Sequence, residues 1–272
     1  MNKLFLIFLI SATQLVYANT KRVEVSIQMG EVLLPDSVLV PMYGFGIENE
    51  WIEIDVNDSL LLVIRNSDSI NHTIRVGAID IQLSPNEVDS IVYSKSEMGI
   101  TFLFDPDYEY LGLKLALISI NESSDNFFWT LRSLDSSMNN AVLKDDDINI
   151  DQYKPEYFLI NRNWGASINN DEYARILGNI GDSIYLFISN LGLSAHSLHF
   201  HGYHAEILLS TKFPFHKGRS KDTFPVYSNE SLILILVPDK DGEYPVHDHN
   251  LVGTTGGKEY GNGMFTTILI NE

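Results

Sequence analysis

Histidines are concentrated in two short segments of this sequence. Five of its eight histidines fall there, and the segments read His196-Ser-Leu-His199-Phe-His201 and His247-Asp248-His249. In an extended strand, side chains two residues apart project from the same face. Each segment therefore presents a His-x-His pair on one face of a strand. One residue of each segment, His196 or Asp248, points to the opposite face.

Paired imidazoles on strands predict a metal site. Imidazole nitrogen suits copper, zinc, iron and nickel, and two pairs on adjacent strands supply three or four nitrogen ligands. The alternative is that these histidines are polar residues on a solvated sheet face, and their clustering favours metal binding over it. His72, His204 and His216 stand alone, and for each a structural role is expected.

The elements that position these residues are short strands. Segments rich in Val, Ile, Leu, Phe and Tyr, bounded by Gly, Asn, Asp, Ser or Pro, fill two blocks of the chain, Arg22–Ile120 and Tyr157–Ile270. Such spacing is typical of an all-β protein. Asp171–Leu177 offers at best a short turn of helix.

The two blocks also resemble each other. In each, a turn with an acidic residue and Ser leads into an apolar strand that ends in Asn, and a His follows six residues later. The corresponding residues are Asn66 and His72 in the first block and Asn190 and His196 in the second. This repeat predicts a pair of β-sandwiches.

Composition excludes several function classes. The chain has no cysteine, which excludes disulfides, thiolate metal sites and thiol nucleophiles. Its formal charge of −18 opposes binding to nucleic acid and to anionic membranes.

The first residues predict export. Lys3 gives a basic start, Leu4–Ile10 is an apolar run too short to span a bilayer, and Val16-Tyr-Ala18 offers a cleavage site. We therefore expect residues 1–18 to be a signal peptide cut near Ala18. The mature chain, about 254 residues, has room for two domains. It is expected in the periplasm or secreted, without membrane insertion.

The second block resembles the final domain of a multicopper oxidase over nearly its whole length. The matching features are, in order, Gly181-Asp-Ser, Asn190, His196-x-x-His199-x-His201-Gly202, Lys221-Asp-Thr223, Gly242-Glu-Tyr-Pro-Val-His247-x-His249 and Gly263-Met264. The resemblance implies an all-β fold of two tandem cupredoxin-like (plastocyanin-like) Greek-key β-sandwiches. It also implies copper, with zinc as a competitor for the same ligands.

The resemblance assigns roles to these residues. Ligands of the family's trinuclear copper cluster are matched by His199, His201, His247 and His249. Ligands of its type 1 copper are matched by His196 and Met264.

The type 1 site departs from the family pattern. Asp248 stands where the family has the cysteine, and the second type 1 histidine, expected near Gly253, is absent. A blue copper site needs the thiolate and cannot form. We expect Asp248 to face His196 inside the sandwich as a hydrogen-bonded substitute for the metal.

The first block is similar to the family's opening domain, but its histidines are missing. His72-Thr-Ile-Arg75-Val-Gly77 takes the place of one His-x-His motif and Asp105-Pro-Asp107 the place of the other. The resemblance implies that a trinuclear cluster draws half of its histidines from each of two domains, so neither that cluster nor laccase-like oxygen reduction is expected. Arg75, Asp105 and Asp107 are candidates to approach the metal from this domain, in the same chain or a neighbouring one. We place the domains at residues 19–120 and 121–272.

Three functions remain open. The first is an exported copper-binding protein that stores, delivers or senses the ion, and the resemblance allows a homotrimer. The second is a copper-dependent oxidoreductase with a mononuclear or dinuclear non-blue site, which would take electrons directly from a small reductant and act on oxygen or a small oxyanion. The third is a metal-free interaction module. No catalytic residue is assigned.

Overall fold

The structure is a computed structural model that describes residues 19–121, 125–144 and 148–272. The predicted signal peptide lies outside the described residues, and so do residues 122–124 and 145–147. No helix of the described residues is long and apolar enough to cross a membrane.

The strands up to residue 120 form two sheets. They are β1 (Thr20–Leu33), β2 (Leu39–Gly44), β3 (Trp51–Asp55), β4 (Ser59–Asn66), β5 (His72–Val76), β6 (Ile79–Leu83), β7 (Val88–Ser94), β8 (Gly99–Phe104) and β9 (Lys114–Ile120). Sheet 1 has the order β2-β1-β4-β7, and sheet 2 the order β3-β9-β8-β5-β6.

The strands from residue 125 onward form two further sheets. They are β10 (Asp125–Leu134), β11 (Tyr157–Ile160), β12 (Ile176–Asn179), β13 (Ile184–Asn190), β14 (His196–Phe200), β15 (Ala205–Ser210), β16 (Ser220–Lys221), β17 (Thr223–Val226), β18 (Ser231–Leu236), β19 (Gly242–Asp248), β20 (Thr255–Gly256), β21 (Glu259–Tyr260) and β22 (Phe265–Asn271). Sheet 3 has the order β16-β15-β18-β13-β10-β11-β20-β21, and sheet 4 the order β12-β22-β19-β14-β17.

Helices are short and peripheral. The described residues contain one α-helix, α1 (Ser136–Ala141), whose first turn is capped by the Asp135 carboxylate accepting from Met138 N–H. The remaining helices of the described residues are short 3-10 segments at Glu109–Leu111, Val142–Lys144, Ile150–Gln152, Gly165–Asn170 and Pro214–His216. At Asp171–Leu177, where the sequence allowed at best a short turn of helix, the structure has a turn in which the N–H groups of Ala174 and Arg175 donate to the Asp171 carbonyl, and β12 begins at Ile176.

The four sheets stack as layers with apolar residues between them. Sheets 1 and 2 enclose one core, and sheets 3 and 4 enclose another. A third cluster joins sheet 2 to sheet 3, with Trp51 stacked on Phe128 at 5.4 Å between ring centroids. The predicted all-β fold of two cupredoxin-like sandwiches is confirmed.

A buried ion pair joins the two sandwiches at this third interface. Arg132 of β10 donates from Nε to Glu50 at 2.5 Å and from Nη2 to the carbonyls of Gly112 and Lys114. Burial alone would raise the pKa of Glu50, but Arg132 and Arg162 outweigh it and hold that pKa below its ordinary value. A buried charge with this many partners fixes one sandwich on the other.

Strand register extends the internal repeat. In sheet 4, His199 of β14 lies opposite His247 of β19. In sheet 2, Arg75 of β5 lies opposite Phe104 of β8 in the matching position. Phe104 therefore corresponds to His247, and Asp105 corresponds to Asp248. In the sequence analysis Asp105 takes the position of a cluster histidine, which is one residue away from the position that the strand register gives.

Candidate metal centre

The two histidine segments lie on adjacent strands of sheet 4. Inward-facing residues of β14 and β19, such as Leu198 and Val246, are buried in the core between sheets 3 and 4. Residues of opposite parity turn outward, so His199 and His247 are half-buried on the outer face. The face assignment made from residue spacing is thus present in the structure.

Four imidazoles meet on this outer face. The His199 ring lies 4.5 Å from that of His201, 5.8 Å from that of His247 and 5.5 Å from that of His249 between centroids. The Nε2 atoms of His201 and His247 are 3.0 Å apart. We call this group, His199, His201, His247 and His249, the four-histidine face.

Neighbouring groups orient two of these rings through Nδ1. His247 Nδ1 lies 2.9 Å from the carbonyl oxygen of Asp248, so it must donate its proton there. His199 Nδ1 lies 2.9 Å from Thr223 Oγ1, whose hydroxyl proton goes to Asp222, so this nitrogen also donates. In a neutral ring the other nitrogen, Nε2, then carries a lone pair. Such outer contacts orient ligating histidines in metal sites.

The surroundings of the third ring, His201, favour its neutral form. Burial and the neighbouring His199 and His247 lower the pKa of His201, which favours the form able to bind a metal. Its Nε2 faces the lone pair of His247 and therefore donates to it.

The donor set fits copper or zinc, although the side chains are not closed around a point. Two nitrogen ligands about 2.0–2.1 Å from one ion, at angles near those of square or tetrahedral sites, lie about 2.8–3.4 Å apart. The Nε2 atoms of His201 and His247 are at such a distance. Among the described residues, however, no three or more His, Cys, Asp or Glu side chains are arranged to hold a metal ion. A third ligand therefore requires a ring of His199 or His249 to turn.

The inner face of the same strands carries a different pair. His196 and Asp248 are almost fully buried, and His196 Nδ1 lies 2.8 Å from Asp248 Oδ2. The other carboxylate oxygen accepts from the backbone N–H groups of Ser197 and Asn250. The predicted imidazole–carboxylate pair is present. His196 Nε2 has no hydrogen-bond partner among the described residues.

Close packing fills the space beside this pair. A Cβ on Gly253 would lie 2.0 Å from Asp248 Oδ2, so no side chain fits at this residue, near which the second type 1 histidine was expected. Met264, which was expected to match the axial ligand, is fully buried, and its carbonyl accepts from Asp248 N–H. Asp248 thus occupies a closed site.

The candidates from the first sandwich are engaged elsewhere. Asp105 is buried and accepts from His72 Nδ1 at 2.8 Å. Arg75 forms an exposed two-bond pair with Asp80. Asp107 donates its backbone N–H to Asp105. None of the contacts found among the described residues joins these three to the four-histidine face.

Sequence reasoning did not assign a role to Thr223, which orients His199. Lys221-Asp-Thr223 is one of the segments that resemble the multicopper oxidases, so the sequence did draw attention to this residue. Its contact with His199 Nδ1 could not be predicted, because a hydroxyl that bonds the nitrogen opposite the metal-binding one produces no characteristic residue spacing.

Comparisons with known proteins were made with this geometry in hand. Residues 142–269, just under half of the chain, match the family described as multicopper oxidase. No curated protein matches the sequence.

Solved structures are similar over nearly the whole chain. A blue copper oxidase from Nitrosomonas europaea has a TM-score of 0.78 at 20% identity, with 93% of this chain and 86% of that one covered. The multicopper oxidase mgLAC has a TM-score of 0.76 at 16% identity, covering 93% and 86%. A copper nitrite reductase from Nitrosomonas europaea has a TM-score of 0.67 at 12% identity, covering 93% and 95%. At these identities the likeness shows the fold.

Proposed function

Because residues 142–269 match the multicopper oxidase family and the fold is cupredoxin-like, we propose that the chain binds copper through the four-histidine face of its second sandwich. The observation that supports this most directly is the placement of two His-x-His pairs on adjacent strands, in register at His199 and His247. Its role is to hold the ion, for storage, delivery or sensing.

The metal-binding nitrogens are prepared by the rest of the chain. Thr223 and the Asp248 carbonyl take the Nδ1 protons of His199 and His247 and leave Nε2 free on each ring. Binding through His201 Nε2 requires a neutral ring whose proton is on Nδ1, and the lowered pKa of His201 favours the neutral ring over the charged one. Polar residues on a merely solvated face would not need such oriented partners.

The His196–Asp248 pair on the inner face of sheet 4 favours a copper-binding role over redox catalysis. A bound copper supplies Lewis acidity and a one-electron couple. The family delivers electrons through a type 1 copper, and here Asp248 fills that position against His196 at 2.8 Å. The chain therefore holds only the ligands of the outer site, and electrons would have to come from a small reductant in solution.

A copper-dependent oxidoreductase is the second candidate. The similar structures include oxidases and nitrite reductases. His249 is exposed, so an ion on this face would be open to solutes. Steady consumption of oxygen or nitrite by the copper-loaded chain with ascorbate, lost in the histidine variant described below, would select this candidate over binding alone.

The signal-like segment 1–18 supports export, and we propose a periplasmic or secreted location. Mass spectrometry of the protein recovered outside the cytoplasm should find an N-terminus near Asn19. An intact Met1 in the cytoplasmic fraction would contradict export.

The binding proposal is tested by loading residues 19–272 with Cu(II), dialysing and measuring retained copper with its electron paramagnetic resonance spectrum. We expect about one copper per chain, with nitrogen ligands and no intense blue band. A His199→Ala/His249→Ala variant should lose it. The matched control His204→Ala/His216→Ala removes the same number of imidazoles and should retain copper.

Equal retention by both variants, or no retention by the wild-type chain, would contradict the proposal. Circular dichroism melts of all three proteins separate loss of a ligand from loss of the fold. Dialysis against a mixture of copper and zinc tests which ion is preferred. A preference for zinc would replace copper in the proposal but would keep the four-histidine face as the metal site.

A further inference from the structure

A polar cavity lies between the two sandwiches. Its volume is about 520 Å³, within the range of roughly 300–1,000 Å³ that is typical of small-molecule sites, which often lie between domains. Glu48 and Trp51 line it from the first sandwich, and Arg162, Glu172 and Tyr173 line it from the second. We call this cavity the interdomain cleft.

Arg162 has a backbone conformation that arginine rarely adopts. Asn161 and Arg162 form the two-residue turn between Ile160 and Asn163, with φ values of +52° and +62°. Such a turn needs the left-handed conformation at both central residues, which asparagine and glycine adopt more easily than arginine does. Since glycine would form this turn with less strain, the arginine indicates a use for its side chain.

The Arg162 side chain keeps donor groups free. Its Nε donates to Glu50 Oε1 at 3.1 Å. Glu50 is also paired with Arg132, so one carboxylate is shared by two guanidinium groups and one positive charge is in excess. The Arg162 side chain is 33% exposed, and no acceptor for its Nη1 or Nη2 is found among the described residues. Because a guanidinium can bond both oxygens of a carboxylate, Arg162 provides a place for one carboxylate of a ligand.

Two unpaired carboxylates line the same cavity. Glu48 and Glu172, one from each sandwich, are exposed, and neither forms an ion pair in the ranges that the structure describes. Asp171 also lines the cavity, but its oxygens accept from the Tyr173 backbone N–H and from the Asn163 amide. Glu48 and Glu172 therefore provide places for two cationic groups.

Aromatic surface lies beside these charges. The rings of Trp51 and Tyr173 meet edge to face, with 5.3 Å between centroids. Burial and the nearby carboxylates of Glu172, Glu53 and Asp171 raise the pKa of the Tyr173 phenol, which is consistent with a negative potential in the cleft. Such rings offer apolar surface to methylene groups and attract cations.

The unpaired charges of the cleft select one class of ligand. One guanidinium with free donors and two free carboxylates complement a molecule with one carboxylate and two cationic groups. A basic α-amino acid has this set of charges, and its methylene chain suits the aromatic surface. A diamine would leave Arg162 without an acceptor, and a simple carboxylic acid would leave both glutamates unpaired.

We propose that the interdomain cleft binds a free basic α-amino acid such as lysine, with its carboxylate on Arg162 and its two cationic groups on Glu48 and Glu172. The ligand then contacts both sandwiches at once. The inference does not depend on copper, because the described residues that line the cleft include no histidine.

Isothermal titration calorimetry of residues 19–272 with L-lysine tests this site. The protein is first freed of metal with a chelator, because α-amino acids themselves bind Cu(II). We expect one lysine per chain. Three analogues each lack one charged group: cadaverine has no carboxylate, norleucine has no side-chain cation and Nα-acetyl-lysine has no α-ammonium. Each should bind about tenfold or more weakly than lysine, because one charged group of the cleft then has no partner.

Variants of the cleft assign the contacts. Glu48→Gln/Glu172→Gln should weaken lysine binding about tenfold or more. Arg162→Gly suits the left-handed turn and should also weaken lysine binding while leaving that of cadaverine unchanged. The matched control Glu97→Gln/Glu206→Gln removes two exposed carboxylates outside the cleft and should bind lysine like the wild type. Urea unfolding of each variant separates loss of a contact from loss of the fold.

Three results would overturn the proposal. The first is no saturable binding of lysine up to about 10 mM. The second is an analogue that binds as tightly as lysine, and with Nα-acetyl-lysine this would identify the end of a peptide as the ligand instead. The third is equal lysine affinity of the control and both cleft variants. The His199→Ala/His249→Ala chain should bind lysine like the wild type, so failure here and failure of the copper site are separate outcomes.

Discussion

The two sandwiches share an inner histidine–carboxylate pair and differ on the outer face. His72 with Asp105, and His196 with Asp248, each join at 2.8 Å through Nδ1. In both, the residue after the histidine donates its backbone N–H to the carboxylate, and so does the residue two positions after the aspartate. The inner pair is therefore part of the repeated scaffold.

The outer faces at equivalent positions have different chemistry. Where the second sandwich has His199 opposite His247, the first has Arg75 opposite Phe104, with the guanidinium 6.0 Å from the ring. A cation over an aromatic ring is stabilising but has no lone pair to offer a metal. The comparison shows that the strands of this scaffold pair without histidines at these positions, so the fold alone does not account for the four-histidine face of the second sandwich.

The largest expected effect concerns the joint between the sandwiches. Arg132→Met leaves Glu50 buried with only Arg162 as a charged partner, so it should lower the free energy of unfolding by about 3–5 kcal/mol. Urea unfolding followed by tryptophan fluorescence measures this. An Arg132→Met/Glu50→Met double variant should recover part of the loss. A single variant as stable as the wild type would show that the two sandwiches do not depend on this pair.

Removing each inner carboxylate tests whether the pairs are equivalent. Asp248→Ala and Asp105→Ala should each cost about 2–3 kcal/mol, because an imidazole N–H and two backbone N–H groups lose a buried acceptor. An asparagine should recover more of the lost stability at position 248 than at position 105. His72 also bonds a second carboxylate, Asp68, through Nε2 at 3.1 Å, so both of its ring nitrogens donate, and the resulting positive charge favours a charged carboxylate at position 105. Thermal melts compare the four variants. An Asp248→Ala chain with unchanged stability and copper content would contradict a structural role for the pair.

A smaller effect is expected at the support of the outer face. Thr223→Val removes the hydroxyl that accepts from His199 Nδ1 and should weaken copper binding about 10–100-fold, as loss of an outer-shell partner commonly does. Competition with a chromophoric chelator measures it. Thr223→Ser keeps the hydroxyl and should bind like the wild type, and equal affinities of the valine and serine chains would remove Thr223 from the site.

The smallest effect is a pH dependence that belongs to the first sandwich. Burial would lower the pKa of His72, but its bonds to Asp105 and Asp68 outweigh this and raise it. A raised folded pKa gives stability that is complete below the unfolded value of about 6.5 and is lost as pH rises through the folded pKa, by at most about 1.4 kcal/mol per pH unit.

The difference in unfolding free energy between the wild type and His72→Gln should therefore shrink from pH 5.5 to pH 8.5. Urea titrations at both values measure it, and Asp68→Asn should reduce the slope. A difference that is constant or grows with pH would show that His72 does not hold an extra proton in the folded chain.

The faces on which the histidines of the second sandwich lie were predictable, because the alternation of side chains along a strand depends only on neighbouring residues. A period of two places His199 and His201 outward and His196 inward, and the structure has them so. The pairing of His196 with Asp248 was predictable for two reasons. Both residues lie on the strand face opposite to the His-x-His pairs, and the resemblance to the multicopper oxidases implies that the two strands are close together.

Other features were not predictable because they depend on neighbouring layers. β10 was missed since sheet 3 is covered on both faces, by sheet 2 and by sheet 4, so Phe127–Leu134 is buried throughout and shows no alternation. The one-residue error at Asp105 arose because that block lacks histidines to anchor an alignment. The pairing of Arg132 with Glu50 links positions 82 apart, which no local pattern indicates.

The most direct test of the account is a crystal of residues 19–272 soaked in Cu(II), with anomalous data collected on both sides of the copper absorption edge. The account predicts a copper peak on the outer face of sheet 4, bonded to Nε2 of His201 and His247, with none at Arg75 and Phe104 or between His196 and Asp248. A peak at either of those positions, or no peak at the four-histidine face in a crystal that has taken up copper, would contradict it.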